Sequence, residues 1–273
     1  MKISLIQMNS ISDKPANIAA AASLVERAVA DERPDWICLP ECFDFLGGDR
    51  KAKMAAAENV PGGRAYETMQ TLAKKHRVYI HAGSILEKPE KGERIHNTTV
   101  VFDRAGSEIA RYRKIHMFDI TAPDGTKYNE SAVFAPGNAA VTYACEDMIV
   151  GCAICYDIRF PDLFQALAAK GADMIALPAA FTLQTGKDHW EVLCRARAIE
   201  TEAYVCAPAQ TGAHASGKER RQTYGHSLVA DPWGHVVAKA SDGPGIVSTR
   251  IDRDLVKKIR AQIPVAHHKV RFD

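Results

Sequence analysis

The chain has 273 residues, 47% of them hydrophobic, and 35 basic against 33 acidic side chains give a formal net charge of +2. That balance sets up no field for nucleic acid or an anionic membrane surface, and no stretch reaches the ~20 apolar residues of a membrane span. Seven cysteines, an odd number without disulfide-framework spacing, predict free thiols in a reducing, cytoplasmic compartment, and Met1 to Gln7 lacks the features of a signal peptide.

Residues 3–8 read as a strand, and Ile18, Ala22, Leu24, Val25 and Val29 predict a helix over about 15–30. A strand at 35–40, a helix at 66–76 and a strand at 78–82 follow. A hairpin then runs over 97–102 and 107–113 around Asp103-Arg104-Ala105-Gly106. The second half repeats the order: strand 148–154, helix 161–170, strand 173–178, helix 189–202, strand 204–209. It closes with a hairpin over 224–230 and 235–240 around Asp231-Pro232-Trp233-Gly234. The echo is literal where Asp35, Leu39 and Pro40 match Asp173, Leu177 and Pro178.

Two pseudo-symmetric β-α-β-α-β-β halves are therefore predicted. Crossover helices imply parallel strands covered on one face, and packing the two bare faces together gives an α/β fold, a four-layer α-β-β-α sandwich. No loose linker separates the halves, so residues 1–273 are expected to form a single domain. Its tail, about 246–273, carries one more strand, a short helix and the basic end His267-His268-Lys269.

In open α/β sheets ligands collect beyond the carboxyl ends of the strands. Three reactive side chains sit there: Glu41, Lys114 and Cys155. Cys155 lies where a strand stops and the helix at Pro161 is about to begin, a setting expected to favour a thiolate and to hold a nucleophile out of the sheet. Thiol, carboxylate and ammonium together suit acyl transfer, with Glu41 as base then acid. Lys114 and a backbone N–H near Tyr156 would hold the oxyanion. Singly, each has a plainer reading: a buried small apolar cysteine, a solvated loop acid, a surface lysine.

Leu39-Pro40-Glu41, the segment Tyr112 to Phe118 and the segment Gly151 to Pro161 together resemble the nitrilase (carbon–nitrogen hydrolase) superfamily, over nearly the whole chain. The resemblance implies the same sandwich, a homodimer or higher homo-oligomer, no cofactor and no metal, and a Glu-Lys-Cys triad on Glu41, Lys114 and Cys155. It also places a second, supporting glutamate on Glu130. Thr185-Gly186, the segment His189 to Leu193, the segment Arg195 to Thr201 and Tyr224-Gly225-His226-Ser227 are most similar to the branch of deaminated glutathione amidases and omega-amidases. That branch implies a small-molecule amide of a 2-oxo acid, cleaved through a cysteine thioester: deaminated glutathione, giving 2-oxoglutarate and Cys-Gly, or 2-oxoglutaramate. A sister branch takes N-carbamoyl amino acids. An oxo acid carries a carboxylate, for which Arg159 is the candidate cation, unless it pairs with Asp157 or Asp162 instead. Tyr156, Phe181 and Thr185 are expected to line the same pocket.

Rival readings are a zinc or redox site at Cys152 and Cys155, with Cys38 and Cys42 as further ligands. A cysteine hydrolase with His116, His189 or His226 as base is another. The third is a non-catalytic scaffold, which has no need of all three reactive groups. The clusters Lys51-Ala52-Lys53 and Lys218-Glu219-Arg220-Arg221 read as solvated loop charge, and Pro61-Gly62-Gly63 lacks the lysine of a phosphate loop.

Overall fold

The computed structural model describes residues 1–122, 125–216 and 219–270. β1 (Lys2–Gln7) leads into α1 (Lys14–Glu32), where the Asp13 carboxylate accepts from the Ala16 N–H and Pro15 enters the first turn. β2 (Trp36–Cys38), α2 (Arg50–Ala56), α3 (Arg64–His76), β3 (Tyr79–His81) and β4 (Ile85–Glu87) follow. β5 (His96–Phe102) and β6 (Glu108–Arg113) form the predicted hairpin. A small hairpin, β7 (Asp119–Thr121) and β8 (Lys127–Asn129), then crosses to β9 (Thr142–Cys145). The second half runs β10 (Met148–Cys152), α4 (Pro161–Ala169), β11 (Met174–Ala176), α5 (Leu183–Thr185), a π-helical turn (Gly186–Trp190), α6 (Glu191–Thr201) and β12 (Tyr204–Ala207). β13 (Thr211–Ser216), β14 (Glu219–Tyr224), β15 (Leu228–Ala230), β16 (Val236–Lys239), β17 (Gly245–Arg250) and α7 (Arg253–Gln262) complete it.

One sheet has the order β17-β1-β2-β3-β5-β4 with β6 beside β5, the other β16-β15-β12-β11-β10-β9. Within each, the three strands joined through helices are parallel and the hairpin strands antiparallel. Alternation along the strands builds the layers. Ile3, Leu5, Trp36 and Cys38 join a core that also holds Val150, Cys152, Met174 and Ala176 of the opposite sheet. Ile6, Ile37 and Leu39 face the other way, into a core with Ile18, Val25 and Met69 of α1 and α3. Trp36 Nε1 donates to Tyr143 Oη at 2.9 Å, and Tyr112 Oη donates to Asp157 Oδ2 at 2.7 Å, tying sheet to sheet.

The repeat is legible in single hydrogen bonds. Asp35 Oδ2 accepts from Lys2 N at 2.8 Å, and Asp173 Oδ2 accepts from Ile149 N at 3.1 Å. Leu39 N donates to His81 O at 3.1 Å, and Leu177 N to Cys206 O at 2.9 Å. In the hairpin turns, Asp103 Oδ1 accepts from Ala105 and Ser107, while Asp231 Oδ1 accepts from Trp233 and His235.

The structure departs from expectation in four places. The strand read from Tyr224 starts at Leu228, because Gly225 (φ 70°) and His226 (φ 54°) are left-handed and break it. Tyr224 instead ends β14, one of several short elements without a clear period, along with α2, β4 and β7 to β9. The helix read over 189–202 begins with a π turn. The tail strand β17 pairs antiparallel with β1, adding to the first half's sheet an edge that the β-α-β-α-β-β unit does not contain. No described helix is long and apolar enough to cross a membrane; Arg271 to Asp273 lie outside the described residues.

Candidate active site

Glu41 follows β2 through Pro40, and Gly83 fixes where it sits. A Cβ on Gly83 (φ 41°) would come within 2.0 Å of the Pro40 carbonyl oxygen, so only glycine lets the two loops touch. Ser84 Oγ then accepts from the Cys42 N–H at 2.8 Å. The Glu41 carboxylate, 4% exposed with its residue, is held by three donors. Asn97 Nδ2 donates to Oε1 at 2.8 Å, Lys114 Nζ to Oε1 at 3.0 Å and Ala180 N to Oε2 at 2.8 Å.

Lys114 comes off the end of β6, with its N–H on Asn97 O and its carbonyl accepting from Gly137 N. A side chain at Gly137 would strike the Arg113 carbonyl at 2.2 Å. Lys114 Nζ lies 3.0 and 2.9 Å from the two oxygens of Glu130, whose Oε2 also accepts from Phe118 N at 2.6 Å. Burial opposes the ammonium charge, but Glu130 and Glu41 outweigh it and hold the Lys114 pKa well above that of a free lysine.

Cys155 sits past the end of β10 with φ 46°, a left-handed conformation that is uncommon away from glycine. Its N–H donates to Pro178 O at 2.9 Å, and its thiol lies within electrostatic reach of the Glu41 carboxylate and the Lys114 ammonium. Cys155 opens a 3-10 turn (Cys155–Arg159), and α4 begins six residues later, at Pro161. The expected thiolate is not what these surroundings produce. Burial and the Glu41 carboxylate push the thiol pKa well above its usual value, and Lys114 offsets this only in part. Two carboxylates already face one ammonium, so a thiolate would add a second unbalanced negative charge. These surroundings favour the thiol over the thiolate, with a carboxylate close by.

Glu41, Lys114, Glu130 and Cys155 line one cavity of about 160 Å³. Tyr156, Phe181 and Thr185 line it as well. The Tyr156 N–H has no hydrogen-bond partner among the described residues, which leaves it available beside the sulfur. Phe181 is buried against Trp190 with ring centroids 5.2 Å apart, and Thr185 shares a hydrogen bond with Thr182 at 2.7 Å. Arg159 is not in the cavity lining. It lies 5.3 Å over the Phe181 ring and 3.2 Å from His189 Nδ1, and it pairs with neither Asp157 nor Asp162. Asp157 is taken by Tyr112, His116 and the Ile154 N–H.

The rival bases are placed elsewhere. His116 stacks on Phe160 at 3.6 Å and bonds Asp157, His189 faces Arg159, and His226 faces the Tyr224 carbonyl. His214 does line the cavity, but both its ring nitrogens are engaged, on Ser10 O and Thr223 Oγ1. Cys38 and Cys152 are in the core between the sheets while Cys42 and Cys155 face the cavity, and no group of metal-binding side chains gathers among the described residues.

Asn97 and Ala180 are invisible in the sequence, since an asparagine in a strand and a backbone N–H carry no chemical signature. Lys53 and Arg221, which read as solvated charge, both line the cavity. Clustering with Lys51 and with Glu219-Arg220 hid them. Lys218 lies outside the described residues.

The carbon–nitrogen hydrolase family model matches residues 2–261. The chain belongs to the carbon–nitrogen hydrolase family. This hydrolase is 40% identical over 269 residues to the deaminated glutathione amidase of Synechocystis sp., covering 97% of this chain and 96% of that one. It is 35% identical over 283 residues to the omega-amidase NIT3 of Saccharomyces cerevisiae, covering 100% and 94%. The solved structure of the Caenorhabditis elegans NitFhit protein superposes with a TM-score of 0.90 at 37% identity, over 98% of this chain and 64% of that longer one. Saccharomyces cerevisiae Nit3, of branch 10 of the nitrilase superfamily, superposes at 0.86 with 30% identity, over 97% and 94%. The four-layer sandwich is the fold these relatives share.

Proposed function

We propose that this hydrolase opens a linear amide through a thioester on Cys155, and that its substrate is deaminated glutathione, released as 2-oxoglutarate and Cys-Gly. The observation that supports the reading most is the convergence of a thiol, a carboxylate and a buried ammonium on one cavity. Glu41 takes the thiol proton as sulfur attacks the amide carbon, which avoids a standing thiolate. Lys114 and the Tyr156 N–H carry the charge that develops on the carbonyl oxygen. Glu130 keeps Lys114 charged and in place. The tetrahedral species collapses, Glu41 returns the proton to the leaving amine, and the acyl group stays on sulfur. Water, deprotonated by Glu41, then attacks the thioester, the acid leaves and the thiol is restored.

The 40% identity to a deaminated glutathione amidase favours that substrate. The 35% identity to a yeast omega-amidase favours 2-oxoglutaramate as the second reading, with ammonia as the leaving group. Turnover of both amides, an N-carbamoyl amino acid and a simple nitrile, with products identified by mass spectrometry, separates them. A preference for the N-carbamoyl amino acid would remove the oxo-acid assignment and keep the thioester chemistry. We take residues 1–273 as one catalytic domain, working as a homodimer in the cytoplasm. Seven buried free cysteines suit that compartment, and sedimentation velocity tests the dimer.

A further inference from the structure

We propose that Lys53 of α2 and Arg221 of β14 select a substrate that carries two carboxylates, each cation taking one of them. The inference rests on the amide-hydrolase reading above and adds to it the substrate's charge and the residues that sense it. Near the sulfur, Glu41 and Glu130 face a single ammonium, Lys114, so the inner cavity holds a surplus of negative charge. Such a cavity repels an acidic substrate unless other cations reverse the balance. Lys53 and Arg221 are the other lysine and arginine side chains that line the cavity among the described residues. Together they bring two further positive charges to its lining. Arg159, the cation that sequence reasoning favoured, lies outside that lining.

The two cations come from separate elements, and each is steadied by an aromatic ring of the same cavity. The Arg221 guanidinium lies 5.1 Å over Tyr128, and Lys53 Nζ lies 5.9 Å over Phe134. A guanidinium held by a ring presents its fork to a carboxylate in a fixed plane. Two anchors on different walls suit a molecule with an acid group on each side of the scissile bond. A simple neutral amide gains nothing from either.

The test is steady-state kinetics of Lys53→Gln, Arg221→Gln and the double variant, with Lys51→Gln on the same helix as a charge control that does not line the cavity. The substrates are deaminated glutathione and its counterpart with both carboxylates converted to carboxamides. Each single variant should raise KM for the diacid about 10- to 100-fold while kcat stays within about twofold, as expected for loss of a charged hydrogen bond made equally in ground and transition states. Lys51→Gln should leave KM unchanged, and the neutral counterpart should not distinguish the variants. The wild-type KM should rise with salt and that of the double variant should not. Unchanged KM in both single variants overturns the proposal. In parallel, binding of 2-oxoglutarate to Cys155→Ala by calorimetry, with and without the two substitutions, reads the same cations without turnover. If no amide acylates Cys155, the proposed function fails. The cation proposal is then decided by whether the double substitution weakens that binding.

Discussion

After Leu39-Pro40 the first half of the sandwich places Glu41; after Leu177-Pro178 the second half places Ala179 and Ala180. The two turns occupy equivalent ends of equivalent strands, and the second answers the first, since Ala180 N donates to Glu41 Oε2 at 2.8 Å. A similar contrast holds one strand further on. His81 of β3 pairs with Cys38 of β2, while in the second half Cys206 of β12 pairs with Ala176 of β11. The first half brings the acid, the amine, the hydrogen-bond donor Asn97 and the counter-charge Glu130; the second brings the sulfur and a backbone donor. The contrast teaches that a duplicated scaffold need not duplicate chemistry. Strand ends are equivalent positions in the fold, and what each presents depends on the one or two residues that follow.

The sharpest way to break that division is to remove the second half's one reactive group. Cys155→Ala should lower turnover by on the order of 10⁴-fold or more while the unfolding temperature stays close to wild type, because the side chain lines a cavity. Turnover near wild type would end the thioester proposal. On the first half's side, Glu41→Gln should slow acylation by roughly 10³-fold, read by single-turnover mass spectrometry of the enzyme, with substrate binding affected much less.

Lys114→Met tests whether the first half's charges neutralise one another. It leaves two carboxylates facing without their cation, and should cost about 3–5 kcal/mol in denaturant unfolding. Lys114→Met paired with Glu130→Gln should recover part of that loss, whereas two independent residues would give additive costs.

The smallest effect concerns His81. Burial depresses its pKa to about 3 from the usual 6.5. The unfolded chain therefore binds a proton that the folded protein refuses as pH falls below 6.5, so stability is full above that value and is lost progressively toward 3. About 2 kcal/mol should disappear from this site between pH 7 and pH 5. His81→Gln, which can keep a hydrogen bond to Tyr143, should flatten the wild-type slope by that amount; an identical slope in both proteins would remove His81 as the source. The second half carries a thiol at the matching position and should contribute nothing there.

Much of this molecule is written locally. The period of Ile3, Leu5 and Ile6, the aspartates that open β2 and β11, and the Asp-x-x-Gly turns depend on neighbours a few residues away, so the two halves and their layers follow from the sequence alone. So does the position of Cys155 at a strand end. The site itself is assembled across distance: Glu41 meets Lys114 over 73 residues and Ala180 over 139. Only the folded chain decides that burial and the Glu41 carboxylate raise the Cys155 thiol pKa, against the thiolate a strand-to-helix turn suggests. Only it brings Lys53 and the exposed Arg221 to the cavity lining, and moves Arg159 out of it. Strand, helix and turn are short-range properties of the backbone, whereas pKa and convergence are set by whatever the tertiary contacts bring within a few ångströms.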